Sequence, residues 1–336
     1  MFLSRGCSFH KSLIVLLGLV LGVFPLAANA APTAEGLLAQ GRIDEAISSL
    51  QEKLSSAPND AESYNLLCRA YFVLENWDGG IKACQKAVSL QPSNSQYHLW
   101  LGRIYGEKAS HSSFFSAAGL AKKVRTEFET AVQLDPANLE ARSDLAEFYV
   151  EAPGMVGGGK DKAAAQAQEL SKLDPAQGDL VQAWIAEKNK DLTTAEKDFR
   201  AAVDVSHGRA GSWLALAQFY RRTGHPDKMQ AALEQAVSAN NKNQVLMKAA
   251  EILVGSKQNL PQAAELLHQY LDSKTVEDAP AFKAHYLLGM IDEQQGDSVA
   301  AAEEYRSALA LAKGFTLAQS ALERVTHQMA SNTGPR

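Results

Sequence analysis

The chain has 336 residues, with 33 Lys and Arg against 38 Asp and Glu, a formal net charge of −5. That balance argues against nucleic acid or an anionic membrane as a bulk electrostatic partner. The length admits two domains, but an internal repeat makes a domain count moot.

The first thirty residues read as an export segment. Arg5, His10 and Lys11 form a basic start, and Leu13 to Leu26 is an apolar run interrupted only by Gly and Pro25. Ala28-Asn29-Ala30 then gives a small-x-small cleavage pattern. The run is short for a membrane span. The expectation is cleavage near Ala30 and a protein exported into a bacterial periplasm, with no stable membrane insertion afterwards. No Cys stands at the cleavage site, so no lipid anchor is expected. Cleavage would remove Arg5 and Lys11, leaving 31 basic against 38 acidic residues, a net −7.

Residues 33–60 hold a shortened copy of a pattern that is clearest at 61–94. There Tyr64, Leu67, Cys68 and Tyr71 are spaced i, i+3, i+4, i+7, which puts them on one helix face. Gly80, Cys84 and Ala87 do the same on a second helix, Pro92 closes the unit, and Glu75–Gly79 reads as a turn between the two. The unit is a helical hairpin with small residues where its helices touch. In its 34-residue period and its Tyr, Gly, Ala and Pro positions, it resembles the tetratricopeptide repeat.

That resemblance continues along the chain. The unit at 95–138 has Leu101, Gly102 and Tyr105 on its first helix and Phe128, Ala131 and Pro136 on its second, with ten extra residues between them. The unit at 139–175 carries five extra residues, around Met155 and Val156. Further units fall near 176–209, 210–243, 244–277 and 282–315. Residues 316–330 read as a capping helix over the last open face, and 331–336 as a frayed tail. The resemblance implies an all-α fold, an α–α superhelix of about eight hairpins, right-handed as in the family. Phe114, Phe115, Met155 and Val156 suggest that the two enlarged loops pack together as an apolar patch. The alternative is that the first insertion lengthens both helices of its hairpin.

In this family, certain first-helix positions face a concave groove. On that ground Asn65, Arg69, Phe72, Trp100 and Arg103 line a partner-binding stretch, followed by an acidic strip of Glu140, Asp144, Glu147 and Glu151. Aromatic and Arg side chains carry much of the energy at protein interfaces. The family's carboxylate-clamp pattern is not reproduced. Gly154-x4-Gly159-Lys160 matches a phosphate-binding loop except at its end, where Asp161 stands instead of Ser or Thr. It also follows a helix rather than a strand, so a flexible turn is the expected role. The histidines form no zinc-binding spacing. His98 and His285 fall at packing positions.

Cys7 would leave with the export segment, so Cys68 and Cys84 remain. They stand at nearly level positions of one antiparallel hairpin, in an exported chain, which favours a disulfide. Against it, the second position usually faces the next repeat, and both residues suit small packing sites left reduced. The functional expectation is a non-catalytic periplasmic scaffold that binds a protein or peptide segment, with no cofactor. The alternatives are an enzyme or enzyme subunit with an unrecognised site, and an assembly subunit of an outer-membrane complex.

Overall fold

The computed structural model describes residues 32–239 and 243–332. The expected export segment 1–30 and most of the tail lie outside the described residues. Among those residues there are seventeen α-helices, one 3₁₀ turn and no strand. The first four hairpins are α1 (Ala34–Ala39) with α2 (Ile43–Ser56), α3 (Ala61–Val73) with α4 (Trp77–Leu90), α5 (Ser95–Ser110) with α6 (Phe114–Leu134), and α7 (Leu139–Glu151) with α8 (Lys160–Leu173). Four more follow: α9 (Pro175–Lys188) with α10 (Leu192–Val205), α11 (Ala210–Arg222) with α12 (Pro226–Ser238), α13 (Gln244–Ser256) with α14 (Leu260–Leu271), and α15 (Ala281–Gln295) with α16 (Ser298–Leu311). The last helix, α17 (Thr316–Asn332), packs on α16 through Ala321 and Val325. The chain is an all-α solenoid.

Local chemistry sets the helix starts. Asp60, Asn76, Asn94, Asn138, Asp174, Asp191 and Asp297 each accept a backbone N–H at the start of the helix they precede. Each such cap contributes about 1 kcal/mol. Within hairpins, small residues let the helices close. A Cβ on Gly102 would stand 2.5 Å from the Phe128 ring, and one on Gly289 would stand 2.5 Å from Tyr305. Between hairpins a tyrosine tether recurs at a constant separation of 20 residues. Gln85 donates to the Tyr105 hydroxyl at 2.8 Å, Tyr149 donates to Glu129 at 2.8 Å, and Arg200 donates to the Tyr220 hydroxyl at 2.8 Å. Cys68 and Cys84 are joined across α3 and α4, with Cα atoms 5.2 Å apart. The loop they close is short, so the chain-entropy contribution is about 3 kcal/mol.

The array returns on itself. The apolar core of the first four hairpins runs without a break into Phe282, Ala308, Ala312, Phe315 and Ala318 of the last hairpin and cap. Polar contacts line this seam. Arg69 Nε donates to Glu277 Oε1 at 2.7 Å, the Thr275 hydroxyl donates to the Ala39 carbonyl at 3.0 Å, and the Lys313 N–H donates to Asp44 at 2.9 Å. Most of the loop contacts come from 272–280, between α14 and α15. Buried Tyr270 pins that loop, accepting from Val276 N–H at 2.9 Å and donating to the Ala279 carbonyl. The sequence reading left 278–281 between two units, and those residues form part of the seam.

The enlarged hairpin also departs from expectation. The ten extra residues lengthen helices instead of forming a loop, giving α5 16 residues and α6 21, against 13 in α7. The first turns of α6 carry Ala117, Ala118 and Ala121, which line a cleft facing Met155 and Val156. The two insertions therefore adjoin without packing tightly. Phe114, Phe115 and Met155 are 69 %, 88 % and 72 % exposed, while Val156 is buried at 5 %.

Two stability outcomes follow from these contacts. Gly41 has φ +72°, and a Cβ there would meet the Ala281 amide nitrogen at 2.9 Å across the seam; Gly224 has φ +74° with nothing within 4 Å. Gly224→Ala is expected to cost about 1 kcal/mol for the left-handed backbone alone, and Gly41→Ala about 1–3 kcal/mol more. Equal shifts in melting temperature for the two variants would show that the seam is not tightly packed.

The second outcome concerns His98. It is buried, with Nδ1 2.6 Å from Glu127 and Nε2 2.9 Å from the Pro92 carbonyl, so both ring nitrogens face acceptors. The hydrogen bond to Glu127 raises its pKa. A raised folded pKa gives stabilisation that is complete below the unfolded value of about 6.5 and is lost as pH rises through the folded value. His98→Gln is expected to flatten that alkaline-side decline in urea unfolding measured from about pH 5.5 to 8.5. A wild-type curve already flat over that range would remove the charged pair from the account.

Candidate protein-binding site

The residues expected in the groove come together on the concave face, but their roles divide. Trp100 lies between two guanidinium groups, with Arg69 Cζ 5.4 Å and Arg103 Cζ 5.0 Å from its ring centroid. Both arginines are already engaged. Arg69 holds Glu277 across the seam, and Arg103 binds Asp144 at 2.6 Å and Glu140 at 3.0 Å. Asn65 is only 6 % exposed, and its Oδ1 has no hydrogen-bond partner. All five residues line clefts on this face, with both arginines held in internal ion pairs. The meeting of the two ends brings Glu277, Lys248 and Lys283 opposite Arg69 and Trp100, narrowing the space to about 500 Å³. Glu277 and Thr275 were missed because their partners lie more than two hundred residues away. The one sequence signal was the off-period gap after 277.

Phe72 leads outward from this face. Its ring stands edge-on to Trp100 at 5.5 Å and to Trp77 at 5.9 Å, and Trp77 in turn stacks on His111 at 5.7 Å. Phe72 and Arg103 also line a second, larger cleft of about 690 Å³ at the edge of the solenoid. One wall is a single stripe of α6, running from Phe114 through Ala117, Ala121 and Val124 to Phe128. The opposite wall is the end of α7 and the 3₁₀ turn Gly154–Val156, with Phe148, Pro153, Met155 and Val156. Phe114, Met155 and Val156 thus meet around one cavity. Phe115 points away from it, beside Phe114 with ring centroids 5.7 Å apart.

The cleft has an acidic side. Asp144, Glu147 and Glu151, spaced i, i+3, i+7 on α7, line it with Glu107 of α5. Arg103 is the one Lys or Arg among its lining residues. Burial raises the Asp144 pKa, against the opposing effect of Arg103. Glu147 is also held above the usual carboxylate range, first by burial and then by Asp144 and Glu151, with Arg222 opposing. Lys188 pairs with Glu151 at 2.6 Å, and Arg222 is itself paired with Glu187 at 2.7 Å.

The glycine run after α7 serves the turn. Gly157 has φ +102°, a Cβ on Gly158 would lie 1.8 Å from the Ala152 carbonyl oxygen, and Gly159 donates to the Tyr149 carbonyl at 2.9 Å. Lys160 donates to Asn189, and Lys162 donates to the Gly157 carbonyl at 3.0 Å. The lysine that a phosphate loop would use, Lys160, is thus engaged with Asn189, and Lys162 fastens the turn. His285 pairs with Glu304 at 2.7 Å, another packing contact. Among the described residues, no group of three or more His, Cys, Asp or Glu is placed to hold a metal ion, and no helix is long and apolar enough to cross a membrane.

Comparison with known proteins agrees with this geometry. Family profiles described as tetratricopeptide repeat match residues 37–104, 210–243 and 254–314. Superkiller complex protein 3 of Homo sapiens is 24 % identical over 216 residues, covering 61 % of this chain and 13 % of that protein. The chain therefore spans about an eighth of the length of that relative. The crystal structure of yeast Tom70 superposes with a TM-score of 0.54 at 16 % identity, covering 87 % of this chain and 60 % of that one. Tetratricopeptide repeats are thus matched at those three stretches, and the α-helical solenoid is a fold that the chain shares with Tom70.

Proposed function

We propose that the chain is a non-catalytic scaffold that binds a protein segment, and that the edge cleft between α6 and the 3₁₀ turn is where it binds. Tetratricopeptide repeats typically mediate protein–protein contacts, which supports a protein as the partner. The place is argued from one observation. Phe114 and Met155 stay exposed while lining an apolar cleft of about 690 Å³. Apolar clefts of this size bearing a few polar groups are where proteins take ligands, and clustered exposed apolar side chains mark interaction sites. The concave face is less suited, because its arginines are spent on internal ion pairs. The proposed compartment is the bacterial periplasm. The basic–apolar–small order of residues 1–30 supports it, and so does the Cys68–Cys84 bridge, since disulfides persist in oxidising compartments.

Affinity purification from the source envelope tests this reading, using the wild-type chain, Phe114→Ser with Met155→Ser, and Val299→Ser as a control on exposed α16. At least one protein recovered with the wild type and the control is expected to be lost with the cleft variant. Recovery of the same set by all three would overturn the cleft as the binding site. Recovery of none by the wild type would overturn the scaffold reading itself.

A further inference from the structure

We infer that the edge cleft selects a partner segment in which a lysine or arginine sits beside apolar anchors, an inference that rests on the cleft being a protein-binding site. The argument is one of charge complementarity in an apolar setting. Four carboxylates line the cleft, and its one guanidinium is already shared between Asp144 and Glu140. The nearby cations are spent as well, Lys188 on Glu151, Arg222 on Glu187 and Lys108 on Asp78. Glu107 and Glu147 are left without a Lys or Arg ion pair, facing a space whose other walls are phenylalanine, alanine, valine and methionine. Burial first, and then the like charges of Asp144 and Glu151, raise the pKa of Glu147. A cation entering here relieves that repulsion. A carboxylate entering would add to it, and a wholly apolar segment would cover Glu107 and Glu147 without pairing them.

The shape points to a polypeptide rather than to a small cationic amphiphile. The stripe from Phe114 to Phe128 spans fifteen residues of α6, and its ends are about 21 Å apart at about 1.5 Å rise per residue. That is several side chains long, and Phe115 and Met155 extend apolar surface beyond it. The small residues Ala117, Ala118 and Ala121 leave room for side chains of the partner, while Phe114 and Phe148 frame them.

Three matched amphipathic peptides of about twelve residues, rich in Leu, Phe and Ala and differing only in a central Lys, Gln or Glu, test the inference against the purified protein by fluorescence anisotropy. The Lys peptide is expected to bind about tenfold tighter than the Gln peptide, and the Glu peptide weakest. In Glu107→Gln with Glu147→Gln, the Lys preference is expected to fall towards onefold while the Gln peptide keeps its affinity. That retained binding also reports that the variant is folded. Equal affinity for all three peptides would overturn the charge selection and leave the binding reading standing. Absence of binding by all three would overturn both. Displacement of the Lys peptide by dodecylammonium at equal concentration would assign the cleft to small amphiphiles and overturn the polypeptide.

Discussion

A two-helix hairpin has an apolar face on each side and can cover neither alone. Stacking solves this for every hairpin except the first and the last. Here α17 covers part of the last, and the remaining faces cover each other, so that Leu37 and Leu38 belong to one core with Phe282 and Phe315. The other tertiary features depend on that arrangement. It places Glu277 in reach of Arg69, brings Ala281 against Gly41, and holds the 272–280 loop between the two ends. Burial supplies the free energy, at roughly 25 cal/mol for each Å² of apolar surface removed from water, and the half-exposed ion pairs add less and mainly fix register.

Meeting of the ends has a functional cost and a functional consequence. The concave face, the largest continuous surface of an open solenoid, is narrowed and both of its arginines are held in internal ion pairs. The apolar cleft lies at the edge, beside α5 and α6, which are longer than α7. The same lengthening that leaves Phe114 exposed also brings His111 against Trp77 and continues the aromatic line from Trp100 through Phe72. Phe72 and Arg103 border both spaces, so a segment held at the edge touches residues that are themselves packed against the seam-bound Trp100.

Much of this was readable from residue spacing. The 3.6-residue periodicity and the turn at Glu75–Gly79 are local signals, and they define the hairpins because each hairpin is a local structure. The small residue at Gly102 announced a close helix contact, and the levels of Cys68 and Cys84 in one hairpin announced that a bridge was geometrically open to them. The seam was not readable. Whether repeat one meets repeat eight depends on small rotations summed over every interface, and no periodicity records that sum. The fate of the ten-residue insertion was ambiguous for a related reason. Phe114 to Ala121 is as good a helix former as a loop cover, and the decision rests on how far α7 extends opposite it. Val156 was grouped with Met155 in one apolar patch, because sequence shows apolarity but not which of two adjacent apolar residues turns inward.

The central claim is that binding occurs at the edge cleft while the two ends of the array stay joined. Hydrogen–deuterium exchange with and without a saturating Lys-bearing amphipathic peptide tests it most directly. The account predicts new protection confined to the facing segments of α5, α6 and α7 and the 3₁₀ turn, roughly residues 106–121 and 147–158, with 65–73 and 272–283 unchanged. Protection centred on Asn65, Arg69 and Lys248, accompanied by faster exchange in the 272–280 loop, would show that the ends part to admit the segment onto the concave face, and would contradict it.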